Sequence, residues 1–384
     1  MSQSKAPRLL VFAPSLRATS ETFIRANLAG LPMCCTAYCG DEWPIHRPLQ
    51  CLYATAIVFS KALTRLRWVR LASLPAALVA WLLIRRQRPD AVLAEFGFEA
   101  VRVMEACAWS GVPLVVHFRG SDASAQGRLG LLRGRYRRLL AIAAGVIVKS
   151  RPMADTLMAL GASADRLLIS PSGANPELFY GSSPAQAPAK LLAVGRFVAK
   201  KGPLQTIRAF SQLCRTLESA DPEPSLWMVG EGPLLKQARS LVRNLGLQNR
   251  VHFLGMRSQE QVADLMRQVR AFVQHSMVAP DGDSEGNPVA VMEAQLSGLP
   301  VVATRHAGIP EVVIDRQSGL LVEEGDETAM AQAMAQVVQD PVLAARLGDF
   351  GRRRVQEHFT IEHHLQQVSQ LLHQVMQHRS EPLP

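Results

Sequence analysis

The sequence predicts an α/β protein of two doubly wound domains, each a parallel sheet flanked by helices, and three observations carry that prediction. The chain has 384 residues, more than one core normally serves, so two domains of under about 200 residues each are expected. Short apolar runs alternate with helix-like stretches, the pattern of successive β-α-β units. The alternation halts at residues 181–190, a polar connector with two prolines and no hydrophobic period, and then starts again. The expected limits are 1–183 for the first domain and 188–360 for the second. A terminal helix over 361–384 should pack back on the first domain, and a cleft should separate the two.

In the first domain, residues 8–13 form a buried-type strand, and the loop that follows leads into a helix ending near Gly30. That turn lacks a glycine-rich fingerprint, so no dinucleotide site is expected there. Residues 61–88 are basic and leucine-rich, with Arg65, Arg67, Arg70, Arg85, Arg86 and Arg88 around an uncharged run over 71–84. The run is too short to span a bilayer, and Pro75 interrupts it. It reads either as a buried helix with solvated arginines at its ends or as a helix lying on an anionic membrane surface. A strand over 90–94, a helix over 100–110 and a strand over 112–118 come next. Ligands of parallel sheets collect at the carboxyl ends of strands, so His117, Arg119 and Asp122 are site candidates, although a lone histidine at a strand end is commonly structural. Helices over 133–143 and 151–160 bracket a strand over 145–149, and a last strand covers 167–170.

The second domain opens with a strand over 191–194. The turn after it carries Arg196 and Lys201, a planar fork and a point charge suited to two phosphates. The strand over 226–229 ends in Gly230-Glu231-Gly232-Pro233, whose small residues would let a ligand approach the backbone. The strand over 251–254 ends in Gly255-Met256-Arg257, and a helix over 259–268 leads to a short strand at 271–274.

Residues 280–304 are the most informative stretch. Asn287 is a good N-cap and Pro288 suits a first helical position, while Gly298 and Pro300 stop the helix before a buried strand at 301–303. Glu285 lies ahead of the helix and Glu293 five residues beyond Pro288, roughly 7 Å along the axis at about 1.5 Å per residue. The free amides of the first turn, which follows Pro288 with Val289, and Gly286, which allows close approach, then make an anion site between two acids. A sugar nucleotide fits that arrangement, with its diphosphate on the helix tip, its ribose at Glu293 and its sugar at Glu285. The plainer alternative is a solvated helix with an acid at each end. A strand over 319–322 and helices from 327, 341 and about 361 complete the chain.

The six cysteines follow no paired ligand spacing, and no histidines stand near Cys34, Cys35 and Cys39 to complete a zinc site, so reduced thiols are expected. The polar amino terminus runs straight into a strand, which leaves no room for a signal peptide and predicts a cytoplasmic protein. The net charge of +10 is uneven: residues 1–184 hold 22 Lys and Arg against 11 Asp and Glu, a net +11, and the remainder holds 20 against 21. Aromatic residues are not interleaved with those basic ones, which argues against nucleic acid. An anionic membrane surface or a phosphate-bearing acceptor agrees better with that charge.

Six pieces in fixed order resemble the glycosyltransferases of family 4, which have the GT-B fold of two Rossmann-like domains facing a central cleft. They are SPSGANPELF (170–179), GRFVAKKG (195–202), VGEGP (229–233), FLG (253–255), EGNPVAVMEAQLSGLPVVAT (285–304) and HAGIPEVV (306–313). The resemblance implies a retaining enzyme that moves a hexose from a nucleotide sugar to a lipid-linked or oligosaccharide acceptor. In it Arg196 and Lys201 hold the diphosphate, Glu285 and the amides near Gly286 meet the donor sugar, Glu293 holds the ribose, and Gly255, Met256 and Arg257 meet the base. Catalysis is then largely stabilisation of the leaving diphosphate by two cations and a helix dipole. No cofactor and no metal are expected; Asp281-Gly282-Asp283 reads like a metal-binding Asp-x-Asp, but the diphosphate already has its cations. UDP is the default nucleotide over GDP.

One departure stands out. Relatives show His-Gly-x-Asp where this chain has Arg119-Gly120-Ser121-Asp122, so either Arg119 or His117 takes that sugar contact. The loop with Ser20 and Glu21, together with Asp122, resembles the acceptor side of the branch that builds exopolysaccharide and other surface glycans, at the inner face of the plasma membrane. A sugar-nucleotide epimerase or hydrolase of the same fold, or a non-catalytic membrane-associated scaffold, are the alternative readings.

Overall fold

Leu9-Leu10-Val11-Phe12 and Ala91-Val92-Leu93-Ala94 are apolar without alternation because both of their faces are covered, as in sheets wrapped by helices on each side. The computed structural model describes residues 6–17, 22–44, 46–68, 71–217 and 223–378. Within it the chain forms two units. The first runs to Ser170 and takes in the chain again from His364; the second is Pro171–His363. The division therefore falls at 170/171 rather than in the connector at 181–190. That connector is anchored within the second unit, where the Ser182 amide donates to the Ser297 carbonyl and its hydroxyl to the Met266 carbonyl.

The first unit comprises β1 (Arg8–Ala13), α1 (Thr22–Gly30), β2 (Cys34–Cys39), α2 (Pro48–Arg65), α3 (Leu74–Gln87), β3 (Ala91–Glu95), α4 (Gly97–Ser110), β4 (Leu114–His117), α5 (Ser121–Ser124), α6 (Gln126–Ile142), β5 (Gly145–Val148), α7 (Arg151–Ala159) and β6 (Leu167–Ile169). Its sheet is parallel in the order β2-β1-β3-β4-β5-β6. The order reverses at β1, so the switch point lies between β1 and β3. Successive β1 side chains go to opposite faces. Leu10 and Phe12 join the core under α3 and α4, while Leu9 and Val11 pack with Val368, Leu372 and Val375 of the last helix. The basic segment at 61–88 divides between α2 and α3, and Pro75 stands in the first turn of α3, where a missing N–H costs nothing.

The second unit comprises β7 (Lys190–Val194), α8 (Pro203–Thr216), β8 (Ser225–Val229), α9 (Leu235–Asn244), β9 (Val251–Gly255), α10 (Gln259–Met266), β10 (Ala271–Gln274), α11 (Val289–Ser297), β11 (Val301–Thr304), α12 (Ile309–Val312), β12 (Gly319–Val322), α13 (Glu327–Gln339) and α14 (Pro341–His358). Its parallel order is β12-β11-β10-β7-β8-β9, with the switch point between β7 and β10. The last helix, α15 (Ile361–His378), belongs to the first unit from His364 on. The His364 ring explains that allegiance, because Nδ1 meets Ser170 Oγ at 2.7 Å and Nε2 meets Asn27 Oδ1 at 3.2 Å. Among the described residues no helix is long and apolar enough to cross a membrane.

Candidate active site

The second unit's switch point gathers most of the sequence candidates. β7 ends at Val194, and the turn beyond it reaches a left-handed Gly202 (φ 53°), where an added Cβ would fall 1.9 Å from the His275 carbonyl oxygen. Only glycine fits there, and it aims Lys201 inward. Lys201 and Arg196 line one small cavity with Gln274 at the end of β10. Lys201 Nζ lies 3.1 Å from Glu285 Oε1, both side chains being largely buried. Burial pulls Lys201 down, and Glu285 partly restores it. Burial alone would raise the Glu285 carboxyl; Lys201 first, then Lys200, turn the net shift downward. The two side chains form an ion pair. Arg196 is exposed, near enough to lower the Lys201 pKa further.

Helix α11 begins one residue later than the sequence suggests. Pro288 is extended (ψ 118°) and occupies the N-cap position without a side-chain cap bond. The side chain of Asn287 does not cap; its Nδ2 donates to the Gly308 carbonyl at 3.3 Å, and the Gly308 amide returns a bond to Gly286 at 3.0 Å. The first amides of α11 are thus left uncapped beside Glu285 and Lys201. Gly298 closes the helix in the left-handed conformation (φ 96°), as its sequence position predicts. Glu293, one turn in, is buried, accepts from Gln259 Nε2 at 3.2 Å and is raised to about 7 by burial, against Gln259 and Lys201.

Several contacts that hold this arrangement were not read from the sequence. Lys200, the less regarded half of the Lys200-Lys201 pair, is buried against Asp283 at 3.1 Å and donates to the Ser284 carbonyl. Asp283 is therefore spent on a lysine, and Asp281 Oδ1 accepts from the Asp283 amide at 3.1 Å. His306 accepts the Glu285 amide on Nε2 at 3.1 Å while its Nδ1 meets Glu324 at 2.5 Å. His306 stood inside a recognised motif, but its partner Glu324 lay beyond any local spacing.

Gly230 and Gly232 are needed for a different neighbour than expected. A Cβ at Gly230 would fall 2.1 Å from the Gly195 carbonyl oxygen and one at Gly232 2.6 Å from that of Phe197. The chain approaching them is the β7 turn, bonded through Phe197 N to Glu231 O at 2.9 Å, rather than a ligand. Gly255 (φ 69°) has open space around it, and Met256 and Arg257 are exposed beside it.

Residues 36–178 match Glycosyltransferase Family 4 and residues 177–354 match Glycosyl transferases group 1, in direct succession. The chain thus carries a Glycosyltransferase Family 4 domain followed by a Glycosyl transferases group 1 domain. Over 268 residues it is 32% identical to the amylovoran biosynthesis glycosyltransferase AmsK of Erwinia amylovora, covering 67% of this chain and 65% of that one. It is 31% identical to the putative colanic acid biosynthesis glycosyltransferase WcaL of Escherichia coli over 65% of this chain and 61% of that one. The matches thus span less than two thirds of those relatives' lengths. Anabaena Alr3699/HepE, solved in complex with UDP, superposes with TM-score 0.74 at 20% identity over 96% of this chain and all of that one. Sucrose-phosphate synthase of Thermosynechococcus elongatus gives TM-score 0.75 at 22% identity over 97% of this chain and all of that one. These likenesses establish the GT-B fold.

In the first unit, the two candidates for the altered motif are both enclosed. His117 is 0% exposed and neither ring nitrogen has a hydrogen-bond partner; Nδ1 lies 3.5 Å from Glu95. Burial, then Arg119 and Lys149, drive its pKa far down, so the ring is neutral and structural rather than a sugar contact. Arg119 is gripped by Glu95 Oε2 from Nε at 2.8 Å and Nη2 at 2.6 Å and lies 4.2 Å over the Phe23 ring. Asp122, expected at the acceptor side, is wholly buried and accepts the amides of Gly97, Arg119 and Gly120, which makes it a loop fastener. Ser20 and Glu21 lie outside the described residues.

Proposed function

We propose that this chain is a retaining hexosyltransferase that takes its sugar from a UDP-sugar and passes it to a lipid-linked or oligosaccharide acceptor in surface polysaccharide synthesis. The observation that carries the reading is the Lys201–Glu285 pair at 3.1 Å beside the uncapped start of α11. A diphosphate placed there meets an ammonium, the Arg196 guanidinium and the positive end of a helix, and it opposes the burial that pulls the Lys201 pKa down. Each of these is worth more to a departing diphosphate than to a bound ester, which is how a preorganised site accelerates transfer. Glu285 is then positioned for the sugar and Glu293 for ribose hydroxyls. In this reading no metal is needed, since Lys200 already neutralises Asp283.

The names of relatives support the glycan class, because amylovoran, colanic acid and lipopolysaccharide core transferases all figure among them. The UDP complexes of a fold neighbour favour UDP over GDP. Exposed rows Leu52, Phe59 and Leu66 along α2 and Leu74, Leu78 and Leu82 along α3, with exposed Arg65, Arg85 and Arg86, support attachment to an anionic membrane from its inner face.

Thermal melting against a panel of UDP- and GDP-sugars tests the donor, since a ligand that binds only the native state raises Tm. UDP-sugars should stabilise the protein, and a rise with GDP-sugars alone would replace the nucleotide. Glu285→Ala should lower transfer by at least about a hundredfold with far-ultraviolet circular dichroism unchanged. Near-normal turnover in that variant would remove Glu285 from the site.

A further inference from the structure

His306 stands in the turn between β11 and α12 and is 1% exposed. Its ring spans three neighbouring loops at the carboxyl end of the second unit's sheet, those after β10, β11 and β12, whose strands lie side by side. On one side Nε2 receives the Glu285 amide at 3.1 Å and lies 3.0 Å from Ser284 Oγ. On the other, Nδ1 meets Glu324 Oε1 at 2.5 Å. The second Glu324 oxygen accepts the Val278 amide at 2.9 Å, so this carboxylate is tied to the β10 loop as well as to the ring.

The turn that presents the ring is strained. Ala307 is held at φ 46°, a left-handed conformation that glycine takes freely and alanine does not. The next residue clamps the segment that His306 holds: the Gly308 amide donates to the Gly286 carbonyl, and Asn287 Nδ2 donates to the Gly308 carbonyl. Bonds from this one turn thus fall on consecutive residues, Glu285, Gly286 and Asn287. Strain of this kind persists where the surroundings over-determine a conformation, as they do in preorganised sites.

The hydrogen-bond pattern assigns the ring's proton. A backbone N–H has no lone pair, so the ring nitrogen that faces it must accept. Nε2 therefore carries no hydrogen, and Nδ1 donates to Glu324. A ring with hydrogens on both nitrogens would set donor against donor at Glu285.

We propose that His306 is a positioning residue for transfer: locked by Glu324 with its hydrogen on Nδ1, it pins the Glu285 backbone and so aims the Glu285 carboxylate at the donor sugar. The aim rests on the transferase reading, in which Glu285 meets that sugar; the lock on the amide does not. Lys201 holds the same carboxylate at 3.1 Å. Without the ring that ion pair alone would place Glu285, and the carboxylate would follow Lys201 rather than the sugar. A misplacement of about 1 Å costs about a hundredfold in rate. The loss falls on kcat, because the diphosphate keeps its own contacts.

Transfer assays and nitrogen NMR on the full chain test this together. His306→Leu roughly keeps the ring's volume and removes the acceptor. Its kcat should fall about a hundredfold, and its KM for donor should stay within about twofold of the wild type. Its melting shift with UDP, which brings no sugar to Glu285, should be unchanged. His306→Gln places an amide oxygen near the site of Nε2, where it can accept the Glu285 amide again, and should restore kcat to within about tenfold of the wild type. In the wild type at neutral pH, long-range hydrogen–nitrogen correlation should show Nδ1 protonated and Nε2 bare, the His306 signals being those absent from His306→Gln. An Nε2–H or doubly protonated ring would overturn the proposal, even if the leucine variant failed to fold. So would unchanged kcat in His306→Leu, a loss of UDP stabilisation alongside the loss of kcat, or a glutamine variant no better than the leucine one. A wild type that transfers from no nucleotide sugar, yet shows the Nδ1–H ring, would defeat the transferase reading and uphold the lock.

Discussion

Glu293, proposed to meet the ribose hydroxyls, sits in a setting that resists ionisation, which makes it a pH-sensitive residue. Its pKa is raised to about 7 because burial disfavours the carboxylate, with Gln259 and Lys201 only partly compensating. Between the ordinary carboxyl range and about pH 7 the folded protein holds a proton that the unfolded chain has released. Stability therefore falls as pH rises through that window, by on the order of 3 kcal/mol in total. Glu293→Gln should remove this slope and leave the ligand-free variant more stable than the wild type above about pH 8. Nucleotide binding should run the other way. Ribose hydroxyls donate to the ionised form, so UDP affinity in the wild type should rise as pH passes about 7 and stay flat in the variant. Calorimetric titration across that range decides it, and an equally flat wild-type profile would take the ribose away from Glu293. At this scale the sequence was legible where chemistry is local. Glu285, Glu293 and Lys201 stand in short motifs, whereas Lys200 with Asp283 and His306 with Glu324 are pairs made by the fold across 83 and 18 residues.

Two turn glycines separate conformational strain from steric exclusion. Gly202 and Gly246 both have positive φ, at 53° and 70°, but an alanine Cβ meets the His275 carbonyl at the first and nothing within 4 Å at the second. Gly246→Ala should cost about 1 kcal/mol, the usual penalty of a left-handed alanine. Gly202→Ala must also displace the β10 end or the α8 start, and should exceed roughly 3 kcal/mol and abolish UDP-induced stabilisation by moving Lys201. Urea denaturation of the two variants compares them, and equal costs would show that the β7 turn yields freely. The strands that carry these turns were readable because burial on both faces leaves an unbroken apolar run. Helix α2 was less so, since its buried positions include Gln50 and Ser60 while Leu52 and Phe59 are exposed, which blurs the periodic signal. Helix α11 starts one residue after the position that Asn287-Pro288 predicts, because Pro288 adopts an extended ψ that its φ-locked ring permits as readily as a helical one.

At the scale of the whole molecule, the uneven charge is the property that no single site explains. Residues 1–184 carry a net +11 while the rest is nearly neutral, and the exposed apolar rows on α2 and α3 lie in that same basic half. Arginine near an anionic surface contributes about 1 kcal/mol per residue, screened beyond roughly 10 Å at 0.1 M salt. Inserted leucines contribute a part that salt does not screen. The two contributions can therefore be removed separately. Arg85→Gln with Arg86→Gln should weaken sedimentation with phosphatidylglycerol vesicles about thirtyfold at low salt and much less at high salt. Leu78→Ser with Leu82→Ser should weaken it at both. Neither pair touches the donor site, so transfer to a water-soluble acceptor should persist in both, which separates anchoring from chemistry. Equal binding to zwitterionic vesicles, or indifference to both pairs, would instead assign the basic half to a soluble phosphate-bearing acceptor.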